Sequence, residues 1–358
     1  MKRNGKIELM RFLFSMAVMI FHSYYFAADG AWALFKRGAL GVEFFFIVSG
    51  YLMARSAAKR AKEPCADLGK ETTAFIGHKI SSLMPNFIVA WVLGLFVMFF
   101  RAGDYTFGAF LNRAIEGVWE LLFLVMAGFG KVRVNVDWYI SAMLLAMLFL
   151  YPLMRKNFSV FSRIVAPIVA AFVLGFFYFT SLTPTNVMQY YTVIYKGMLR
   201  AVAELCLGVA LYPCIEKLKG VSLTKHGRRL VTAAELSCWL IVFGYMAFHQ
   251  TKTYDFFIMI FIAGGIVLAF SHQGAFAGWF DKPVFAWLGE FSLSLYLGHS
   301  YWSHFIEKYF SHIDYWTLLI PYICVSLLSG LLVYYVSKGI KKVSPKVLAY
   351  LKQKLVAQ

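Results

Sequence analysis

The chain has 358 residues, of which 60% are apolar and 15% are charged, and its mean hydropathy is +0.66. A soluble globular protein carries roughly 45–50% apolar and about 25% charged residues, so this composition excludes a water-soluble fold. The net charge of +17 raises the question of nucleic-acid binding. The inside-positive bias of a membrane protein explains this charge better. We therefore expect the protein to contact a lipid bilayer and not nucleic acid.

The apolar residues occur in blocks of about 17 to 25 residues, the length that a helix needs to cross a bilayer core. Because the backbone in lipid must satisfy its own hydrogen bonds, each block predicts a helix. The sequence therefore predicts an all-α polytopic integral membrane protein with about ten transmembrane helices. The predicted spans are residues 7–28, 39–57, 84–101, 138–154, 164–181, 197–213, 230–249, 255–271, 285–303 and 316–337.

The distribution of basic residues predicts the orientation of these spans. Lys and Arg accumulate on the cytoplasmic side of short loops. With ten spans, the basic clusters fall on one side of the membrane and both termini are cytoplasmic. Residues 107–128 would move every later cluster to the other side if they crossed, so they are interpreted as an interfacial or re-entrant helix on the outer face. Residues 1–340 then form the membrane domain, and residues 341–358 a basic cytoplasmic tail.

Cysteine and histidine spacing gives no sign of a metal or redox site. The five cysteines have no close pairing, and the eight histidines lack the spacing of known metal-binding motifs. We therefore expect no bound cofactor and no metal. Ionisable residues inside the membrane are the remaining candidates for chemistry, because they are costly there.

Three polar residues share one face of the first predicted span. Arg11 and His22 are eleven residues apart, which corresponds to about three helical turns and about 16 Å along the axis, and Ser15 lies on the same stripe. The stripe places a fixed positive charge near the cytosolic end and an imidazole in the outer half. Taken alone, Arg11 is typical of a residue that anchors a helix end, and His22 of one that bonds a neighbouring helix.

Glu43 lies about one turn into the second predicted span, at nearly the same depth as His22, within roughly 3 Å by helical rise. A carboxylate that bonds an imidazole orients it and raises its basicity, as a general base requires. We therefore predict that Glu43 and His22 form a catalytic pair. The alternative for Glu43 alone is a buried carboxyl that pairs helices.

Four motifs along the chain resemble those of acyltransferase family 3, membrane proteins that acylate carbohydrates of cell envelopes. The resemblance covers essentially the whole chain. The motifs are Arg11 with His22, residues 41–52 (GVEFFFIVSGYL), residues 138–141 (WYIS), and residues 288–292 (LGEFS) followed by residues 296–299 (YLGH).

The resemblance implies transfer of an acetyl or other short acyl group from cytosolic acyl-CoA to a hydroxyl of an extracytoplasmic carbohydrate or glycolipid. It implies a cell (plasma or inner) membrane location, His22 as the essential histidine and Arg11 on the donor side. Further donor-binding candidates are Lys79, Arg55, Lys59 and Arg60. Further substrate-binding candidates are Ser15, Ser49, Tyr51, Trp138, Tyr139 and His299.

The chain departs from the family pattern at two places. Ser81 and Ser82 stand where arginines are usual, so Lys79 is the one definite charge there. Met143 stands where many members have a glutamate.

A polytopic transporter is the competing hypothesis from another class. It predicts two related halves and helices broken near the middle of the membrane. The chain shows no internal repeat, and the ionisable residues singled out above concentrate in the first two spans, which favours the enzyme.

Overall fold

The computed structural model of the protein describes residues 3–28, 30–61, 63, 67–130, 132, 134, 136–180 and 187–356. Almost all elements within these ranges are helices. They are α1 Gly5–Phe21, α2 Gly41–Arg60, α3 Leu68–Ala102, α4 Phe107–Glu116, α5 Val118–Leu121, α6 Trp138–Lys156, α7 Phe158–Val160, α8 Ala166–Thr180, α9 Lys196–Lys219, α10 Lys225–Phe248, α11 Asp255–Ser271, α12 Pro283–Gly298, α13 Ser300–Phe310 and α14 Tyr315–Val356. Two short antiparallel strands, β1 Tyr190–Tyr191 and β2 Ile194–Tyr195, precede α9.

Within the described ranges, eight helical segments are long and apolar enough to cross a membrane. They contain α1, α2, α3, α6, α8, α9, α10 and α14. The other two predicted spans correspond to shorter helices, α11 with 17 residues and α12 with 16. The prediction of an all-α polytopic membrane protein is confirmed, whereas the sidedness of the helices stays a prediction.

The ambiguous block at residues 107–128 forms no single long helix. It is divided into α4 of ten residues, α5 of four residues and a short 3-10 turn at Val125–Ala127. None of these is long enough to cross a bilayer, which needs about 20 helical residues. This geometry agrees with an interfacial segment.

The third helix begins earlier than predicted. Asp67 caps it by accepting a hydrogen bond from the Lys70 backbone N–H at 2.9 Å, and α3 then continues for 35 residues through Pro85. Hydropathy located only the apolar second half of α3, because the first half is polar. Pro85 also suggested that the helix starts there. The carbonyl of Pro85 accepts a hydrogen bond from Ser337 at 3.1 Å, which ties α3 to α14.

Both helices that carry site histidines end at those histidines. Asn4 caps α1 by accepting from the Lys6 backbone N–H at 3.1 Å, and the helix changes to 3-10 geometry at His22. The ninth predicted span, residues 285–303, was expected to be continuous. It is interrupted at His299, between α12 and α13.

Two helix pairs bring the site residues together, α1 with α12 and α2 with α9. A Cβ atom at Gly50 would overlap the backbone of Leu205, and one at Gly208 would overlap the backbone of Ile47. The two glycines therefore permit α2 and α9 to approach at backbone contact. This close approach places Glu43 of α2 against the first turns of α9.

Candidate active site

Two cavities share one lining residue within the described ranges, Tyr296 of α12. The first, called here the basic cavity, has a volume of about 390 Å³. Five of its lining residues are cationic: Arg3, Arg11, Lys79, Lys338 and Lys341. Glu290 is its one acidic lining residue among those described, and it accepts a hydrogen bond from Arg3 at 2.9 Å. The lining therefore keeps an excess of positive charge that suits a polyanion.

The basic cavity contains some of the predicted donor-binding residues and excludes others. Arg11 and Lys79 line it, together with Ser15, Ser49 and Tyr139. Among the predicted donor- and substrate-binding residues, those that do not line it are Arg55, Lys59, Arg60, Tyr51, Trp138 and His299, and the predicted catalytic residues His22 and Glu43 do not line it either.

The excluded residues have other surroundings. Arg60 lies 3.8 Å from Glu71, and the hydroxyl of Tyr51 donates to Glu216 at 3.1 Å. The cavity meets α2 at Phe45, Val48 and Ser49. Arg55, Lys59 and Arg60 lie roughly 9–16 Å beyond Ser49 along the helix axis, which places them past the cavity.

Three cations of the basic cavity were missed by sequence reasoning, Arg3 and, on α14, Lys338 and Lys341. Lys341 donates to the side-chain oxygen of Asn86 at 3.1 Å, and Asn86 in turn donates to Ser294 at 2.6 Å. These bonds connect α14, α3 and α12 at the cavity wall. Lys338 and Lys341 are three residues apart at the end of an apolar helix, so they lie on one face of it. This spacing was the sequence signal for the pair.

The second cavity, called here the histidine cavity, has a volume of about 560 Å³ and is lined by His22. Four cationic residues also line it: Lys36, Arg37, Arg200 and Lys252. Trp138, predicted as a substrate-binding residue, lies here and not in the basic cavity. Helix α1 connects the two cavities, because Arg11 and Ser15 line the basic cavity while Val18 and His22 line the histidine cavity.

The hydrogen bonds of His22 define its tautomer. Its Nδ1 lies 2.8 Å from the carbonyl oxygen of Val18 and 3.1 Å from Nε2 of His299. The Nδ1 of His299 lies 3.2 Å from the carbonyl oxygen of Leu295. Since a carbonyl only accepts, each Nδ1 carries the proton, and Nε2 of His299 accepts from His22. This assignment leaves a lone pair on Nε2 of His22, the form that a general base requires.

The predicted contact between Glu43 and His22 is wrong. Glu43 is fully buried and lies 2.6 Å from Arg200 of α9, while His22 bonds Val18 and His299. The prediction rested on helical rise, which does not fix the rotation of a helix about its axis. Close packing of α2 on α9 turns Glu43 toward Arg200 instead. A role of Glu43 in catalysis stays a prediction.

Arg200 is a further residue that sequence reasoning missed. Its Nε donates to Glu204 at 3.0 Å, and its guanidinium lies 5.5 Å from the centre of the Trp138 ring. Arg200, Glu43 and Glu204 form a buried cluster of one cation and two carboxyls at the wall of the histidine cavity. The signal was an Arg–Glu pair spaced four residues apart inside an apolar span.

Two titratable groups beside the histidine cavity lie outside the membrane-spanning helices. Burial lowers the pKa of His304, which lines this cavity, and the nearby Arg101 lowers it further against the opposing effect of Glu307. Burial, together with the nearby Glu120, raises the pKa of Asp137 well above its usual range. His304 is therefore neutral at pH 7 and adds no charge to the cavity lining.

The fold and its cavities define a class: a polytopic membrane protein with a cationic cavity and a histidine at opposite ends of one helix. The chain matches the family described as acyltransferase domain over residues 4–337. It belongs to acyltransferase family 3 and is an enzyme that transfers acyl groups other than aminoacyl groups. No curated protein and no solved structure matches the chain.

Proposed function

We propose that the protein transfers an acetyl or other short acyl group from acyl-CoA to a hydroxyl of a carbohydrate or glycolipid acceptor. The donor binds in the basic cavity and the acceptor in the histidine cavity. The observation that carries this proposal is the division of α1, whose Arg11 end lines a cationic cavity and whose His22 end lines a separate one. The plasma or inner membrane is the proposed location, with the basic cavity open to the cytoplasm.

The proposed chemistry uses the tautomer assigned above. Nε2 of His22 accepts the proton of the acceptor hydroxyl as its oxygen attacks the thioester carbonyl carbon. The tetrahedral intermediate collapses, the carbon–sulfur bond breaks, and the CoA thiolate leaves. The proton held by His22 then passes to the thiolate, directly or through solvent, so the histidine is regenerated for the next cycle.

Sealed membrane vesicles of both orientations test donor, reaction and sidedness together. Radiolabelled acetyl-CoA does not cross a bilayer, so it should label the membrane carbohydrate only in inside-out vesicles that contain the protein. Label that is released by mild base would identify an ester. Equal labelling of right-side-out vesicles would contradict the proposed orientation, and no labelling in either would contradict the proposed donor.

Loss of a cavity cation should weaken donor binding. We expect Arg11→Ala and Lys341→Ala each to raise KM for acetyl-CoA by about tenfold or more, because a charge-assisted hydrogen bond contributes about 1.5–3 kcal/mol. Arg11→Lys should recover only part of the loss, since a point charge cannot copy the planar guanidinium. Initial rates across donor concentrations measure the effect.

The matched control for these variants is Lys225→Ala, an exposed basic residue that lines neither cavity. It should leave KM unchanged. A similar rise in KM for the control variant would show that the general surface charge attracts the donor and that the basic cavity does not bind it specifically.

A further inference from the structure

Three aromatic rings from three helices form a triangle in the wall of the basic cavity. Phe45 of α2 lies 6.0 Å from Tyr139 of α6 and 5.9 Å from Tyr296 of α12, and the two tyrosine rings are 5.8 Å apart. These separations lie in the range of favourable tilted and edge-to-face ring contacts. Three rings in mutual contact leave only a narrow space among them.

The triangle belongs to the wall of the basic cavity and reaches the histidine cavity at Tyr296. All three rings line the basic cavity, and among the described residues Tyr296 alone lines both cavities. The hydroxyl of Tyr296 donates to the carbonyl of Val136 at 3.2 Å, and its ring lies 5.9 Å from that of His299. Since His299 bonds His22, the triangle is one residue removed from the proposed base.

A polar group stands beside the rings on the donor side. The hydroxyl of Ser15 is buried, lines the basic cavity and has no hydrogen-bond partner among the described residues. An unsatisfied buried hydroxyl is costly, so a ligand that accepts or donates there would be favoured. A thioester carbonyl at the end of the basic cavity would supply such an acceptor.

We propose that Phe45, Tyr139 and Tyr296 form an aromatic constriction that the acyl group must enter to reach His22, and that the size of the Tyr296 side chain limits the length of the acyl group. This inference rests on the proposed function. In the proposed reaction the acceptor oxygen bonds the acyl carbon while CoA stays on the donor side. The constriction therefore has to admit the acyl group and exclude the rest of the donor, and Tyr296 becomes the residue that determines acyl specificity.

The test compares donors of different length in inside-out vesicles that contain the native membrane acceptor. The probes are radiolabelled acetyl-CoA, butyryl-CoA and hexanoyl-CoA. Wild type should prefer acetyl-CoA, and Tyr296→Ala should shift the ratio of kcat/KM toward hexanoyl-CoA by about tenfold or more, the discrimination expected of a few methylenes in an apolar pocket. Tyr296→Phe keeps the ring and should keep the wild-type profile.

The matched control is Phe291→Leu on the same helix, a buried ring that lines neither cavity. Its donor profile should equal that of wild type. An unchanged profile in a folded, active Tyr296→Ala variant, or the same shift in Phe291→Leu, would overturn the proposal. Failure of wild type to use any of the three donors would instead refute the proposed function.

A second measurement does not depend on turnover. Ala39 lines the histidine cavity, so Ala39→Cys in a background without the native cysteines reports access to that cavity. A membrane-impermeant thiol reagent on the donor side should modify this position only when Tyr296→Ala is also present. Modification with Tyr296 intact, or none even with Tyr296→Ala while reagent from the opposite side reacts, would overturn the constriction.

Discussion

His22→Ala should lower acyl transfer by about 10² to 10⁴-fold, the usual contribution of a general base. The reason is the lone pair on Nε2, which the bonds of Nδ1 to Val18 and of His299 to Leu295 place there. The protein should remain folded, because His22 lies at the end of α1 and the substitution leaves that helix's packing against α12 in place. Transfer of label from acetyl-CoA to membrane carbohydrate measures the rate.

His299 provides the matched comparison for this prediction. His299→Ala removes the acceptor of the His22 Nδ1–H bond but leaves the Val18 carbonyl, so it should lower kcat less than His22→Ala does. Because His299 positions His22, His299→Ala should also shift the pH–rate profile. The double variant should be no slower than His22→Ala alone, since residues that act as a unit are not additive. Near-normal turnover of His22→Ala would assign His22 to packing.

The sequence predicted the membrane class and the approximate helices well, because hydropathy reports directly on contact with lipid. Hydropathy did not predict the part of a helix that continues without that contact. The first half of α3 is polar, so a hydropathy window cannot detect it, and Pro85 is tolerated inside the helix. The break at His299 was equally invisible, since apolar residues continue through the segment on both sides of it.

The candidate site was predictable where one helix carries the pattern. Helical geometry placed Arg11, Ser15 and His22 on one stripe, and the structure shows Arg11 and Ser15 lining the basic cavity and His22 the histidine cavity. The spacing of Lys338 and Lys341 puts them on one face of α14, but that this face meets Asn86 and the basic cavity depends on how α14 packs against α3. A distant contact is a property of tertiary packing, which no local pattern contains.

Glu43 shows that the depth of a residue in the membrane does not predict its partner. Depth is fixed by the number of residues from the membrane surface, but the partner of a buried carboxyl is fixed by helix rotation and by the neighbouring helix. The glycines at positions 50 and 208 bring α9 against α2, and α9 presents Arg200. Glu43 has a partner, but that partner is Arg200 and not the predicted His22.

Arg200→Ala should destabilise the protein by about 3–5 kcal/mol, the cost of breaking a buried ion pair and leaving its carboxyls uncompensated. Glu43 and Glu204 are 0% exposed and both lie against this one guanidinium, which is itself only 2% exposed. Without Arg200, two carboxyls would share an apolar environment with no cation. Thermal unfolding and the monodisperse fraction in detergent measure the loss.

A variant that removes all three charges separates this electrostatic effect from the loss of side-chain volume. Arg200→Leu combined with Glu43→Gln and Glu204→Gln should regain most of the stability, because replacing a whole buried ionic cluster costs far less than removing one member. Arg200→Leu alone fills similar space and should remain as unstable as Arg200→Ala. If Arg200→Leu alone were as stable as wild type, the ion cluster would contribute nothing to the packing of α2 on α9, and the two carboxyls would have to be satisfied in another way. If instead the triple variant were stable but inactive, the cluster would act on the histidine cavity, where Arg200 also lines the wall.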